Sequence, residues 1–453
     1  MMLESLIPRR AVHRLAVRWR VGVRVGVRVG VRALLTIAAF VPALGAQPAR
    51  RAVAVVLAAP TRDALVISVL TFGPGDDLFE RFGHIAVRVH DFNTGSDVAY
   101  NWGMFDFNQP NFYQNFLTGD TKYWMEGFPA LPFVEAYRQQ GRAVWEQDLA
   151  LTHAEADSLR RFIEWNAREE NKYYRYDYYR DDCATRVRDA IDMVLGGAFK
   201  QSVTGLSDGL SYRSETMRLS AAYPFTNFGM DYVLGRPADG VLSSWEEMFI
   251  PMRVRDILGY ATVRRADGTM TKLVETQRQL VVDNRFAERQ TVPDYLMPAS
   301  IAGGTFTVFA VLLALLAANS GAARVAFVTL ATTWNLAAGV LGVILICAGA
   351  FTKHVYMSDN VNVLLATPVS LMLALLIPLA FRRVRRRRLV RVSVQLSLLT
   401  AASAIVTLVV HFVPAYWQQN AAILAVAVPA HCAIAFGLTW IAAPGSRASR
   451  SAI

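Results

Sequence analysis

Beyond residue 299 the sequence is dominated by five apolar stretches, at roughly 300–318, 325–351, 363–381, 392–412 and 421–441. Each is close to the ~20 residues a helix needs to cross the hydrocarbon core of a bilayer. Five is an odd number, so the two ends of the bundle lie on opposite sides. If the polar region before 299 is outside, the turn with Arg324 is inside and the Lys353-His354-Val355-Tyr356 loop is outside. The block Arg-Arg-Val-Arg-Arg-Arg-Arg at 382–388 then falls inside, the Ala415–Gln419 loop outside, and the tail with Arg447 and Arg450 inside. Every basic cluster lands on the side expected of cytoplasmic loops. The spacing therefore predicts a transmembrane bundle over 299–443 and a cytoplasmic tail over 444–453.

The other end of the chain agrees with that orientation. Residues 9–32 are strongly basic and include the run VGVRVGVRVGVR, and the apolar segment ALLTIAAFVPALGA follows at 33–46. A basic segment followed by an apolar one of this length, ending in small residues, reads as an export signal or a signal anchor. Ala43-Leu44-Gly45 would suit cleavage, and residues 1–60 are set apart from the folded protein. The net charge of +11 comes largely from arginines in 9–32 and 382–391, both beside apolar runs, so it reports topology. It does not read as a nucleic-acid surface, which would interleave its basic residues with aromatics on a folded domain. Of the three cysteines, Cys347 and Cys432 lie in apolar segments and Cys183 stands alone in the polar region, which excludes a disulfide framework.

Residues 61–298 read as one extracytoplasmic α+β domain. The segments 63–73 and 84–92 have strand character, and the second alternates, with Ile85, Val87 and Val89 on one face and His84, Arg88 and His90 on the other. Asp97–Trp102 would pair with it across the turn Asn93-Thr94-Gly95-Ser96. Thr152-His153-Ala154-Glu155 is a capping box that opens a helix to about Glu170. Tyr173–Tyr179 reads as extended, and a further helix starts at Asp181-Asp182-Cys183 and runs to about Leu195, with Val187, Ile191, Val194 and Leu195 as its apolar face. The expectation is a short antiparallel sheet with helices against it.

One constellation can carry chemistry. Cys183 falls in the first turn of its helix, where unpaired N–H groups and the helix dipole favour a thiolate. Arg186 and Arg188 add positive charge, Asp181 and Asp182 oppose it, and the sign of the net shift stays open. His84 is the natural base for the thiol proton, and Asn101 on the adjacent strand can orient the far imidazole nitrogen. A Cys and a His in a domain of this size are more often structural than catalytic. A two-histidine metal site at His84 and His90 is the alternative, but no third ligand follows at a recognisable spacing. The tyrosines of 173–179 read first as strand core and rim.

Four motifs occur in order: Thr71-Phe72-Gly73-Pro74-Gly75-Asp76, Phe82–Val89, Tyr100–Phe107 and Tyr176–Asp189. With Trp245–Met252 and the trailing helices, they resemble the Lnb family of membrane proteins over roughly residues 63–440. The resemblance implies a permuted papain-like (NlpC-type) thiol-enzyme domain on a helix bundle in the bacterial plasma membrane, with the main domain periplasmic. It implies an acyltransferase that moves a chain from a lipid ester to the N-terminal amine of a lipoprotein, giving the lyso-form, through a Cys thioester. Cys183 matches the nucleophile and His84 the base; Asn101 as orienter is an inference from strand pairing. Arg186, Tyr176 and His354 are the candidates for substrate contact, and covalent chemistry of this kind calls for no metal or cofactor. The implied partners are a membrane lipid, a lipoprotein and the bilayer. The chain departs from the family pattern at Asp182, where the family has Asn; a carboxylate there should raise the thiol pKa and disturb the helix start. A Cys-dependent envelope hydrolase (peptidoglycan amidase or peptidase, or lipase) and a non-catalytic envelope scaffold remain the alternative readings.

Overall fold

The computed structural model describes residues 64–265, 267–283, 285–381 and 387–443. The expected signal at 1–60, most of the arginine block at 382–388 and the tail at 444–453 lie outside those residues. In chain order the mixed region contains β1 (Leu65–Phe72), β2 (His84–Asp91), β3 (Ser96–Met104), α1 (Phe112–Thr118), β4 (Lys122–Pro129), α2 (Ala130–Gln139), β5 (Val144–Leu149), α3 (His153–Asn166), β6 (Tyr173–Arg175) and α4 (Cys183–Val194). It continues with α5 (Ala198–Val203), α6 (Tyr212–Leu219), α7 (Pro224–Val233), α8 (Ser244–Glu247), α9 (Pro251–Tyr260), β7 (Thr262–Arg264), β8 (Met270–Lys272) and β9 (Val274–Val281). Seven strands form one antiparallel sheet in the order β6-β4-β3-β2-β1-β5-β9, longer than the short sheet expected.

Alternation along β2 decides how that sheet is covered. Ile85, Val87 and Val89 point into the main core, where they meet Leu159 and Ile163 of α3, Val187 and Ile191 of α4, and Val254 and Ile257 of α9. Ala86 points the other way, into a smaller core with Leu70, Phe72 and Val134 of α2. Each fully buried branched side chain contributes roughly 1.5–3 kcal/mol, and a one-residue slip would exchange the faces, so this pattern fixes the register.

Two local expectations fall short, each for a visible reason. α3 opens on its capping box, with Thr152 and Glu155 bonding reciprocally, but it stops at Asn166 rather than near Glu170. There the Asn166 side chain donates to the Asn171 carbonyl, and the Asn171 side chain donates to that of Trp165, which turns the chain back. The extended segment expected over 173–179 is a strand only to Arg175. Asp177 then accepts from the backbone N–H groups of Tyr179 and Arg180 and bridges to Asp181, making a tight turn ahead of Cys183.

The C-terminal region supplies α10 (Leu296–Leu316), α11 (Gly321–Phe351), α12 (Val369–Ala380), α13 (Arg387–Val410) and α14 (Ala421–Ala442). Together these give five spans long and apolar enough to cross a membrane. The third differs from its expected extent of 363–381. It approaches through 3-10 turns at Val355–Met357 and Val361–Leu364, and only α12 is regular helix. The cause is polar. Asn360 donates to the carbonyls of Tyr232, Val233 and Leu234 at 3.0–3.2 Å, and Asn362 donates to that of Tyr232 at 3.1 Å. Gln418 reaches both Leu234 and Asn360, and Gly235 N–H donates to the Tyr356 carbonyl. These bonds join the end of α7 to the outer ends of the spans, and the described chain from Ala64 onward is one compact unit.

Candidate functional site

The site begins with the start of α4. Asp182 is in extended conformation, and its Oδ1 accepts from the N–H groups of Ala184 (2.9 Å) and Thr185 (2.8 Å), while the Thr185 hydroxyl accepts from Asp182 N–H. This is a reciprocal cap, of the kind that contributes about 1 kcal/mol. The expectation that a carboxylate here would disturb the helix start is therefore corrected: Asp182 makes the start. It also takes two of the N–H groups that a bound oxyanion would otherwise use, leaving that of Cys183 outside the cap.

Cys183, the first residue of α4, is placed against an opening in the sheet. The β2–β3 ladder runs from Asp91 opposite Ser96 to Val87 opposite Tyr100 and stops. Beyond it β3 shifts register between Asn101 and Met104, and Gly103 takes φ +94°. A Cβ at Gly103 would be strained by that backbone and would meet the Cys183 Cβ at 3.4 Å. The positive φ, rather than the space, is what calls for glycine where the strand passes the helix start. The thiol is close enough to the backbone N–H of Ile85, the residue after His84, for that group to favour its ionised form.

His84 is the first residue of β2, opposite Phe72 of β1, and its ring stacks on Phe72 at 5.9 Å and on Tyr137 at 6.3 Å. Its Nε2 lies 3.3 Å from Asn101 Oδ1. The Asn101 amide nitrogen donates to the Glu126 carbonyl at 3.0 Å, so its oxygen faces the imidazole. A carbonyl oxygen only accepts, so Nε2 carries the proton and Nδ1 keeps its lone pair. Among the described residues no hydrogen bond joins the His84 and Cys183 side chains.

The electrostatics settle the sign that sequence left open. Burial pushes the Cys183 thiol up, the Asp182 carboxylate pushes it further, and the N–H groups of Ile85, Ala184 and Cys183 only partly offset them. Burial also lowers His84 to about 4, assisted by the positive charge of Arg142 and opposed by Asn101. Asp182 itself is pushed up to about 7 by burial, against its bonds to Thr185 and Ala184. Desolvation outweighs the helix dipole here, and the resting pair at neutral pH is a thiol and a neutral imidazole.

The three candidates for substrate contact are dispersed. Tyr176 stacks on Tyr123 at 4.1 Å, close enough to Cys183 and Asp182 for their charges to raise its hydroxyl pKa after burial has done so. Arg186 is held bidentately by Asp181 and lies 4.2 Å over the Tyr174 ring; it lines a cavity of about 390 Å³ with Trp102, Asn166 and Asp189. His354 is a strut: its Nε2 bonds the Phe116 carbonyl at 3.0 Å and its ring leans on Tyr178. The two-histidine alternative fails on reach. Six residues of strand separate His84 from His90 by about 20 Å, and His90 stacks on Phe92 instead.

Comparison with known families agrees with this architecture. Residues 57–218 match the model of the Lnb N-terminal periplasmic domain, and residues 294–440 match that of the Lnb transmembrane domain, more than half of the chain between them. The chain belongs to the Lnb family. It is accordingly a multi-pass membrane protein with a periplasmic domain, in the orientation the basic loops predict. Neither the curated proteins nor the solved structures contain a significant match.

Within the Lnb domain, sequence reasoning missed Tyr137 and Arg142. Arg142 is buried, donates to the Gly73 carbonyl (2.9 Å) and to Glu80 (3.0 Å), and lies 4.7 Å over the Tyr137 ring. It thereby ties the loop after β1 to the wall behind His84. Nothing in an isolated Gly-Arg-Ala string signals that role, which depends on where β5 pairs. Gly103 sat in a quoted motif, but its backbone role was not legible.

Proposed function

We propose that this Lnb-family protein is a thiol acyltransferase that moves an acyl chain from a lipid ester to the N-terminal amine of a membrane lipoprotein. The observation that carries the reading is the chain Glu126 carbonyl, Asn101, His84, which leaves Nδ1 as the one basic imidazole position, together with a cysteine at a helix start whose thiol reaches the backbone N–H of Ile85, the residue after His84. A periplasmic domain hydrogen-bonded to the outer loops of the five-span bundle suits a donor and an acceptor that are both anchored in the bilayer, since tethering raises effective concentration.

In the first half-reaction Cys183 Sγ attacks the ester carbonyl while its proton passes to His84 Nδ1. A neutral thiol requires that transfer to accompany attack. The oxyanion is met by the Cys183 N–H, the helix-start donor that Asp182 does not take. Collapse breaks the ester C–O bond, and the proton on His84 goes to the leaving alkoxide, releasing an alcohol and leaving an acyl thioester. In the second half-reaction the lipoprotein amine attacks the thioester, its proton moves to His84, and the C–S bond breaks to give an amide and, once reprotonated, the thiol. Ester and amine become alcohol and amide, with no net proton change.

The test is mass spectrometry of a reporter lipoprotein's N-terminal peptide, from cells lacking their usual N-acyltransferase and expressing wild type or Cys183→Ala. The reading predicts one acyl chain moved from glycerol to the amine at constant mass in wild type and no change with the variant. Outright loss of a chain would make the protein a hydrolase, with water in place of the amine. An unchanged peptide with folded, membrane-inserted wild type would overturn the reading.

A further inference from the structure

One helix of the periplasmic domain is built inside out, and a second carries an outward apolar face. α7 buries Asn227, whose side chain donates to the Met217 carbonyl and the Ser220 hydroxyl, and Asp231, which pairs with the fully buried Arg213. Its outward positions are Phe225, 96% exposed, and Phe228, 47% exposed. α1 packs inward through Phe112, and it also turns Tyr113, Phe116 and Leu117 outward, each more than half exposed. Single exposed apolar residues on a protein surface need no explanation. A helix that hides its amides and carboxylates and presents its phenylalanines is the pattern of a surface that meets lipid.

Both helices are fixed at the level of the membrane surface by bonds to the loops between spans. The Lys353 N–H donates to the Thr118 carbonyl at the end of α1, the Lys353 ammonium pairs with Asp120, and His354 holds the Phe116 carbonyl. Tyr232, at the end of α7, is buried among Leu345, Leu365, Ala404, Ile423 and Leu424, all residues of the spans and their outer loops. At about 1.5 Å per residue α7 extends only some 15 Å from that anchor, so its phenylalanines stay near the interface.

Both helices also connect to the catalytic pair. From Phe116, ring contacts pass through Phe112, Phe105 and Tyr123 to Tyr176 beside Cys183. On the α7 side, the Tyr223 hydroxyl donates to the Asp76 carbonyl in the loop that leads to His84.

We infer that α1 and α7 insert their outward apolar faces into the outer leaflet, forming two lips that seat the Cys183–His84 site at the lipid headgroup level. The inference goes beyond the acyl-transfer reading and is tested with the nucleophile removed, so either can fail without the other. In full-length protein carrying Cys183→Ala, Cys347→Ala and Cys432→Ala, single cysteines are introduced as Phe116→Cys, Phe225→Cys or Thr94→Cys and labelled with an environment-sensitive fluorophore. Thr94 is exposed in the turn at the far end of β2, roughly 26 Å along the strand from His84. The protein is reconstituted in phosphatidylethanolamine–phosphatidylglycerol vesicles with bromines on the upper acyl carbons. Labels at 116 and 225, seated about 5–10 Å into the interface, should lose emission to the brominated chains and be shielded from aqueous iodide, with the reverse at 94. The Phe225 ring is almost wholly exposed, so labelling there disturbs little packing. Iodide reaching 116 and 225 as readily as 94, or bromine quenching at only one of the two, would overturn the two-lipped insertion.

Discussion

The two ends of β2 show opposite treatments of buried polar groups. Toward Asp91, Arg88 donates bidentately to Asp97 (2.6 Å) and also to Glu146 (2.6 Å); Glu146 accepts from Arg278, and Arg278, Ser68 and Thr276 all reach Asp148. Each charge has a partner of the opposite sign. At the other end His84 Nδ1 makes no hydrogen bond among the described residues, Cys183 is desolvated beside a carboxylate, and one Arg142 nitrogen and the Thr71 hydroxyl are buried without a hydrogen-bond partner among the described residues. Satisfied networks stabilise a fold. Groups held away from their preferred protonation states have stability withheld from them, and they are where chemistry is found. The first end should therefore respond to mutation in stability, the second in rate.

The largest expected effects test that division directly. Cys183→Ala should reduce acyl transfer by on the order of ten-thousand-fold, and His84→Gln by about a hundred- to ten-thousand-fold, with the thermal midpoint little changed in either. Arg88→Met should do the reverse: it strands Asp97, leaves Glu146 with Arg278 alone and costs about 3 kcal/mol or more, while the rate per folded molecule stays at the wild-type level. Equal rate losses from both ends in folded protein would break the comparison.

A middle-sized effect concerns Asn101, the proposed positioning residue. Asn101→Asp places a carboxylate against Nε2 and favours the imidazolium, so the acid limb of the rate profile set by His84 should move up from near pH 4. A purely structural role for Asn101 would lower the rate at all pH values without moving the limb.

The smallest effect is in the pH dependence of stability. Asp182, raised from 3.8 to about 7, holds a proton in the folded state that the unfolded chain has released, so its contribution is full below pH 4 and is lost as pH rises toward 7. His84, lowered from 6.5 to about 4, refuses a proton the unfolded chain accepts, so its contribution is present above 6.5 and is lost as pH falls toward 4. The two slopes oppose each other. Asp182→Asn, which keeps the cap, should expose the His84 slope, with thermal stability rising between pH 4 and 6.5 by up to about 1.4 kcal/mol per unit; His84→Gln should expose the falling slope of Asp182. Melting curves across pH 4–8 that look alike in all three proteins would show that the two groups are not buried as described.

The sequence made the local features legible and concealed the long-range ones. The alternation of β2, the capping box at Thr152, the helix start at Cys183 and the five spans all follow from short windows, because pattern and cap chemistry act within a turn or two. The approach of Asn101 to His84 followed from pairing neighbouring strands. What did not follow depends on segments far apart in the chain: Arg142 reaching Gly73, the ring of Tyr137 behind His84, and Asn360 and Asn362 bonding carbonyls of 232–234 and so cutting the third span short. Asp182 is intermediate, since its identity suggested a disturbed helix and a raised thiol pKa, and its geometry supports only the second.

The central claim is that Cys183 carries the acyl chain, and the most direct measurement is mass spectrometry of the Cys183 peptide from full-length protein incubated in membranes with an ester donor and no acceptor, then quenched in acid. The account predicts a mass gain of one acyl chain on that peptide, removed by neutral hydroxylamine, discharged on adding an amine-bearing lipoprotein, and absent in His84→Gln. A reporter lipoprotein converted normally while the Cys183 peptide never gains mass, or converted equally well by Cys183→Ala, would contradict it.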